Sequence, residues 1–225
     1  MKPTAAAVER LALQSPAELL AGRTAHLQEL YKLSGCSQHQ FDQVYGSLLT
    51  AFAGYVQALP AVTDPKTTLL DERLRAAERV LFRRRAVLLP VGETVEASAQ
   101  AADLWTYLVF CLALLYRLGR DLDAWHITLW TADATPLGHW SPAVMPRGLL
   151  AVHRATHYTV QPAPIRVTPD WTGLVAGALM PAVGLNWLWR DAHAMAFWTQ
   201  AIRADLPDAL CPLFVDVPFA WRACP

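Results

Sequence analysis

Apolar positions are densest from Leu104 to Tyr116, where no charge falls between Asp103 and Arg117. That run is shorter than the roughly 18 apolar residues needed to cross a bilayer, so the pattern predicts a buried central helix. Thr94 or Glu96 is placed to open it. Gly119 is expected to end it as a left-handed residue, with Arg117 and Arg120 adding positive charge at the negative end of the helix dipole.

Upstream the period is helical throughout. Ser15-Pro16-Ala17-Glu18 carries an N-cap serine, a proline at the first helical position and a glutamate three residues after the cap, and Leu20, Leu27, Leu30 and Tyr31 follow at helical spacing as far as Gly35. Ser37 and Gln40 repeat the capping pattern. Phe41, Val44, Leu48, Phe52, Tyr55, Val56 and Leu59 then form one apolar stripe that Pro60 stops. These two helices are expected to pack as an antiparallel hairpin. A connector, Ala61 to Thr68, leads to a third helix from Leu69 to Arg85, and Leu88-Leu89-Pro90-Val91-Gly92 reads as a turn.

Beyond Arg120 the period changes. Trp125 to Trp130 alternates as a strand does, Asp133 to Gly138 is turn-rich, and Tyr158 to Gln161 with Ile165-Arg166-Val167 completes a small antiparallel sheet. Helices then resume. Thr168-Pro169 is placed to cap one bearing Leu174, Val175 and Leu179, and Trp187 to Arg203 forms another around Met195, Phe197, Trp198 and Ile202. The fold expected is mainly α, a helical bundle with a small antiparallel β insertion around residues 125–167. It is read as a single domain over 1–225, with its core at about 15–203 and an irregular Pro-rich tail at 204–225.

Composition changes this picture in two ways. Lys+Arg and Asp+Glu are equal at 19 each, which excludes a global field for DNA or an anionic membrane, so any nucleic-acid contact is local. A hydrophobic content of 54% against 17% charged, with nine tryptophans, requires either a large core or an apolar surface covered by a partner. The scattered indoles from Trp171 to Trp221 are most simply core. Cys36, Cys111, Cys211 and Cys224 lack C-x-x-C spacing and are expected to be reduced thiols. No signal-type apolar segment opens the chain, so it is read as neither secreted nor membrane-spanning, and as cytoplasmic in a bacterium.

Candidate chemistry is sparse. There is no Gly-rich phosphate loop, no G-x-S-x-G elbow and no H-E-x-x-H pair. Arg75, Arg79 and Arg83 recur at i, i+4 and i+8, with Arg84 and Arg85 adjacent and Glu72 and Glu78 interleaved; the stripe is either a solvated face laced with intrahelical ion pairs or a phosphate-binding surface. Asp121 and Asp123 offer two carboxylates to a hard cation, or form a solvent-facing turn. His153 and His157 have helical metal-pair spacing but run into a strand, where that spacing is too wide to share one ion. Trp140-Ser141-Pro142 reads as a turn with a packed indole.

The order of several short segments resembles the N-terminal domain of TraI-type (MobH) conjugative relaxases, also described as a helicase of integrating conjugative elements. The segments are Tyr55-Val56-Gln57-Ala58-Leu59-Pro60-Ala61, Leu69-Leu70-Asp71, Leu88-Leu89-Pro90, Ala99-Gln100-Ala101-Ala102 with Trp105, and Ala113-Leu114-Leu115-Tyr116-Arg117-Leu118-Gly119-Arg120, extended by Trp140-Ser141-Pro142 and Tyr158. The likeness covers about residues 15–200. It implies a His-Asp (HD) metal-dependent phosphohydrolase fold with the ligands replaced: the paired histidines after Leu-Pro-Ala are missing, Glu72 stands where a histidine follows Leu-Asp, Tyr116-Arg117 stands for the His-Asp pair, and Gln161 lies near a downstream histidine. Glu72 is expected to pair with Arg117 or Arg120 and to converge with Tyr116 and Gln161 on one pocket.

The resemblance with its altered ligands implies a catalytically inactive relaxase-like protein, with no cofactor, acting as an interaction or DNA-docking module in conjugative or integrative element transfer. Its partners would be proteins of the conjugation apparatus, with DNA through Arg75, Arg79, Arg83, Arg84 and Arg85, and a homo-oligomer is compatible with it. Little chain follows residue 200 to form the C-terminal domain that many such relaxases carry, so action through partners is expected. The alternative is a phosphodiesterase or nuclease that holds a divalent metal such as Mn or Mg in a displaced site drawn from Asp121, Asp123, His126, His139 or His153.

Overall fold

The apolar run folds as the helix its pattern predicts. In the computed structural model, which describes residues 9–164, 169–203 and 205–220, α6 spans Val95–Leu115 and Thr94 caps it by accepting the Ala97 N–H at 3.2 Å. Among the described residues nine other helices and a four-stranded sheet accompany it: α1 (Pro16–Ala21), α2 (Thr24–Ser34), α3 (Gln38–Gln40), α4 (Ser47–Val56), α5 (Leu69–Arg84), α7 (Leu118–Asp123), α8 (Thr172–Leu179), α9 (Ala182–Trp189) and α10 (Ala192–Arg203). Packing against α6 is most extensive from α5, with α10, α2, α8 and α9 adding to it. Together with α7, α6 is long and apolar enough to cross a membrane, but 72% of its most apolar window is buried against this chain's own elements. Its hydrophobicity is thereby accounted for by core packing.

The helix ends earlier than expected, and for a different reason. Tyr116 leaves helical geometry and Arg117, at φ 57°, takes the left-handed conformation. Gly119 lies inside α7 instead, its N–H donating to Thr172 Oγ1 at 3.0 Å, and a Cβ there would stand 2.3 Å from the Thr172 nitrogen. The glycine is needed for the close approach of α7 to the start of α8.

The predicted capping box is present at Ser15 and Glu18, but the helix it opens is broken at Gly22. The expected hairpin is therefore divided: α1 packs on α4, while α2 turns away to pack on α5. From α3 a π-helical turn, Phe41–Gly46, leads into α4 and sets the Phe41 ring edge-on to Tyr31 at 5.4 Å. Before Pro60 is reached, α4 stops at Gln57, whose φ is 51°. The Gln57 amide accounts for this stop. It donates to the carbonyls of Gly54 and Gln14 at 2.9 and 3.0 Å and accepts the Gln14 N–H at 2.9 Å, tying the chain's N-terminal segment to α4.

The acidic residues of α5 pair outside their own helix, so the intrahelical lacing read from the sequence is not what forms. Asp71 accepts two bonds from the Arg23 guanidinium at 2.6 and 2.9 Å, and Glu78 meets His26 Nδ1 at 2.7 Å. Both fix α2 against α5.

The sheet has strand order β1-β4-β2-β3, all antiparallel, from β1 (Leu11–Ala12), β2 (Trp125–Trp130), β3 (Pro136–Trp140) and β4 (His157–Pro162). The sequence pattern missed β1. The turn between β2 and β3 is tighter than read, since Pro136 already begins β3 and Trp140 closes it, buried edge-on against Tyr55 with the turn following at Ser141. Ile127, Leu129, Val160 and Tyr158 face the core in register, while His126, Thr128, Trp130, His139 and Gln161 share the opposite face. The strand expected at Ile165-Arg166-Val167 and the cap at Thr168 lie outside the described residues, as do Trp221 and Cys224.

Among the later elements, Asp170 stands before α8 and accepts the Thr172 N–H at 2.9 Å. The helix expected over Trp187–Arg203 is two, because Asp191 accepts the N–H groups of His193 and Ala194 and starts α10 afresh. Trp189 ends α9 at 72% exposure and so is not core. The tail extends the core beyond residue 203. It forms a 3₁₀ turn, Asp208–Leu213, and buries Leu206, Leu210, Leu213, Phe214, Val217 and Phe219, packing on α5.

Two outcomes follow from this packing. Asp71→Asn should lower stability by ~1–2 kcal/mol at neutral pH, measured by urea unfolding. Burial raises the Asp71 carboxyl, but the bonds from Arg23 and Thr68 outweigh it and hold the group below its ordinary 3.8. A depressed folded-state value gives stability that is present above the unfolded value and lost as pH falls through the folded one, so the gap between wild type and Asp71→Asn should close below pH ~4. Gly119→Ala should cost ~2 kcal/mol or more through backbone overlap with Thr172, read as a lowered thermal midpoint.

Candidate functional site

The end of α6 leaves backbone carbonyls without helical partners, and a buried guanidinium meets one of them. Arg73 recurs with Leu69, Ala77 and Val80 on the core face of α5 and is itself wholly buried. Its Nη1 donates to the Tyr116 carbonyl at 2.8 Å, its Nη2 bonds the Asp121 carboxylate of α7, and the Phe219 ring of the tail stacks over the guanidinium at 3.3 Å. Four segments of chain thus converge on one cation. Burial pushes the Asp121 carboxyl above its ordinary range, and the Arg73 charge opposes that rise.

The four residues matched to missing metal ligands each face a different neighbour. Glu72, 8% exposed, accepts a bond from Thr63 Oγ1 in the connector before α5. Tyr116 is buried, and its carbonyl is taken by Arg73. Arg117 pairs with Asp205 at 3.0 Å, and Gln161 is exposed on β4 opposite His126. Glu72 pairs with neither arginine expected of it, because Arg120 is held by Asp170 at 2.8 Å and the left-handed turn at Arg117 carries that side chain toward the tail. Arg73, which the sequence reading passed over, occupies this junction. Its helical register with Ala77 and Val80 was the available signal.

The residues proposed for a displaced site divide. Asp121 is turned inward to Arg73, and His153 is exposed on a turn. Asp123, His126 and His139 line a cleft of about 660 Å³ where α7 meets β2 and β3, together with Arg120, Trp125 and Asp170. There the His126 and His139 rings stack face to face, with centroids 4.2 Å apart and planes within 2°. An imidazole binds a metal along a lone pair in its own plane at about 2.1 Å, so two parallel stacked rings do not point lone pairs at one ion. His139 Nδ1 also lies 3.0 Å from the Ile127 carbonyl, which makes it the protonated nitrogen. Among the described residues no three His, Cys, Asp or Glu side chains are grouped to hold a metal.

The arginine stripe is also divided by the fold. Arg84 falls on the core face with Arg73 and Val80 and donates to the carbonyls of Val87 and Ala102 at 2.5 and 3.4 Å. Arg83 clamps the tail through the carbonyls of Leu213 and Val215 and an ion pair with Asp216 at 3.3 Å, and Arg79 reaches the Asp216 carbonyl at 3.2 Å. Arg75, Arg79 and Arg85 are exposed.

Taken together, the elements define a helical domain with a small antiparallel sheet, closed at the end of its central helix by an arginine of its own. The family model TraI_2, described as "Putative helicase", matches residues 11–204, and the chain belongs to this TraI-type, conjugation-related family. No curated protein matches it.

Removing Arg73 alone should leave the Asp121 carboxylate buried without a partner. Arg73→Met is expected to cost ~3–5 kcal/mol in urea unfolding, and the double variant Arg73→Met/Asp121→Leu to regain much of that loss.

Proposed function

We propose that this chain is a non-catalytic member of its family, a relaxase-like pseudo-HD domain of the MobH type that acts as an interaction module within bacterial DNA-transfer machinery. The observation that carries the reading is the buried Arg73 guanidinium between Asp121, the Tyr116 carbonyl and Phe219. In the family pattern the end of this helix supplies the His-Asp pair, and here it carries Tyr116-Arg117 beside a second, wholly buried arginine. Arginine keeps its charge in proteins, so the fixed positive charge of Arg73 beside the Tyr116 carbonyl opposes a divalent cation at this helix end, where Arg117 offers no anionic ligand and turns to Asp205 instead. The Asp121 carboxylate of α7 is already committed to Arg73.

The displaced-site alternative is disfavoured by the parallel stacking of His126 on His139. Direct DNA docking rests on Arg75, Arg79 and Arg85, since Arg83 and Arg84 are engaged within the chain. The neutral overall charge makes protein partners the better-supported class.

Metal analysis of protein equilibrated with Mn²⁺ or Mg²⁺, followed by cleavage assays on single- and double-stranded DNA, tests the proposal. Substoichiometric metal and no cleavage are expected. Stoichiometric metal that is lost in Asp123→Ala or His126→Ala would overturn it in favour of the displaced site.

A further inference from the structure

We infer that a groove between the C-terminal end of α5 and the tail docks an acidic, amphipathic segment of a partner protein. This deepens the interaction-module reading by giving it a surface, and its test is separate from metal content. The groove has a volume of about 700 Å³, an apolar floor of Phe82, Val87, Pro212 and Val215, and arginines 83 and 85 at its rim. Phe82, on α5, is 68% exposed and Val215, in the tail, 48%, so two large apolar side chains from different segments face solvent in one groove.

Charge determines the occupant. Arg75, Arg79 and Phe82 recur at i, i+4 and i+7 on the outer face of α5, and Arg85 and Ala86 follow in the turn that ends the helix. The acids of that helix are all committed elsewhere: Asp71 to Arg23, Glu72 to Thr63 and Glu78 to His26. Asp216, next to Val215 in the tail, is matched by Arg83. The apolar lining is thus flanked by the exposed Arg85 guanidinium in addition to the Arg83–Asp216 pair, complementary to a helix with apolar residues at i, i+3, i+4 and i+7 and carboxylates on its flanks. Nucleic acid fits less well. Phe82 is the single aromatic ring of the floor, and the remainder is aliphatic, so successive bases have no rings to stack on.

The probe is a fluorescein-labelled amphipathic peptide of about five helical turns, built from leucine and glutamate, with its lysine-for-glutamate counterpart and a labelled oligothymidine as comparisons. Fluorescence anisotropy with the full chain should give a Kd on the order of micromolar for the acidic peptide and no binding of the basic one. Phe82→Ser and Arg85→Glu should each weaken binding about tenfold or more with unchanged thermal unfolding, because both side chains are exposed. Three results would overturn the inference: no binding of the acidic peptide, or binding indifferent to both variants; binding of oligothymidine instead, lost in the same variants, which gives the face to nucleic acid; and self-association in sedimentation abolished by Phe82→Ser, which gives it to a second copy.

Discussion

The fold depends on how the end of α6 is closed. The C-terminal half of α6, Tyr107 to Leu115, is buried on all sides, so the helix terminates inside the protein and its last carbonyls lie away from water. Arg73 supplies the donors at Tyr116, Asp121 balances the charge this brings into the interior, and Phe219 covers what remains of the guanidinium face. Each partner belongs to a different segment, so α5, α6, α7 and the tail are fixed relative to one another by one side chain. Such a centre adds little net stability compared with an apolar filling of the same shape, but breaking half of it is costly. It therefore specifies an arrangement more than it strengthens one.

That centre also bears on how family resemblance translates into chemistry. Substitution of ligands along a helix end is usually pictured as leaving an empty pocket. Here the residues that the resemblance matches to ligands do not converge on one pocket: Glu72 turns to the connector, Arg117 to the tail and Gln161 to the outer face of the sheet. Arg117 itself takes the left-handed conformation, and its side chain pairs with Asp205.

Much of the helical frame was legible in the sequence because capping and periodicity are local properties. Thr94 and the Ser15–Glu18 box mark the true starts of α6 and α1, and the bounds of α5 follow from Leu69 and the arginine cluster. What escaped depended on distant partners. β1 is two residues long and exists only because β4 is beside it, the stop at Gln57 depends on Gln14, and the close approach at Gly119 depends on Thr172. The candidate site was less legible still. Arg73 was passed over because arginine is rarely buried, although its register with Ala77 and Val80 put it on the core face. The stripe of arginines looked uniform along the helix and is functionally divided in space, because a period of four drifts around a helix of 3.6 residues per turn and carries successive guanidinium groups from solvent toward the core.

The stacking of Phe219 on Arg73 has a consequence for the order of events as the chain is made. Arg73 is synthesised early, but the last side chain that shields it emerges only after both the sheet and α8 to α10 have been added. Until then the guanidinium and the end of α6 have their full set of neighbours only in part, and α5 has no tail to hold against its arginines. Closure of this core accordingly waits on Phe219 and is built on contacts between segments far apart in the chain, the kind that slows folding.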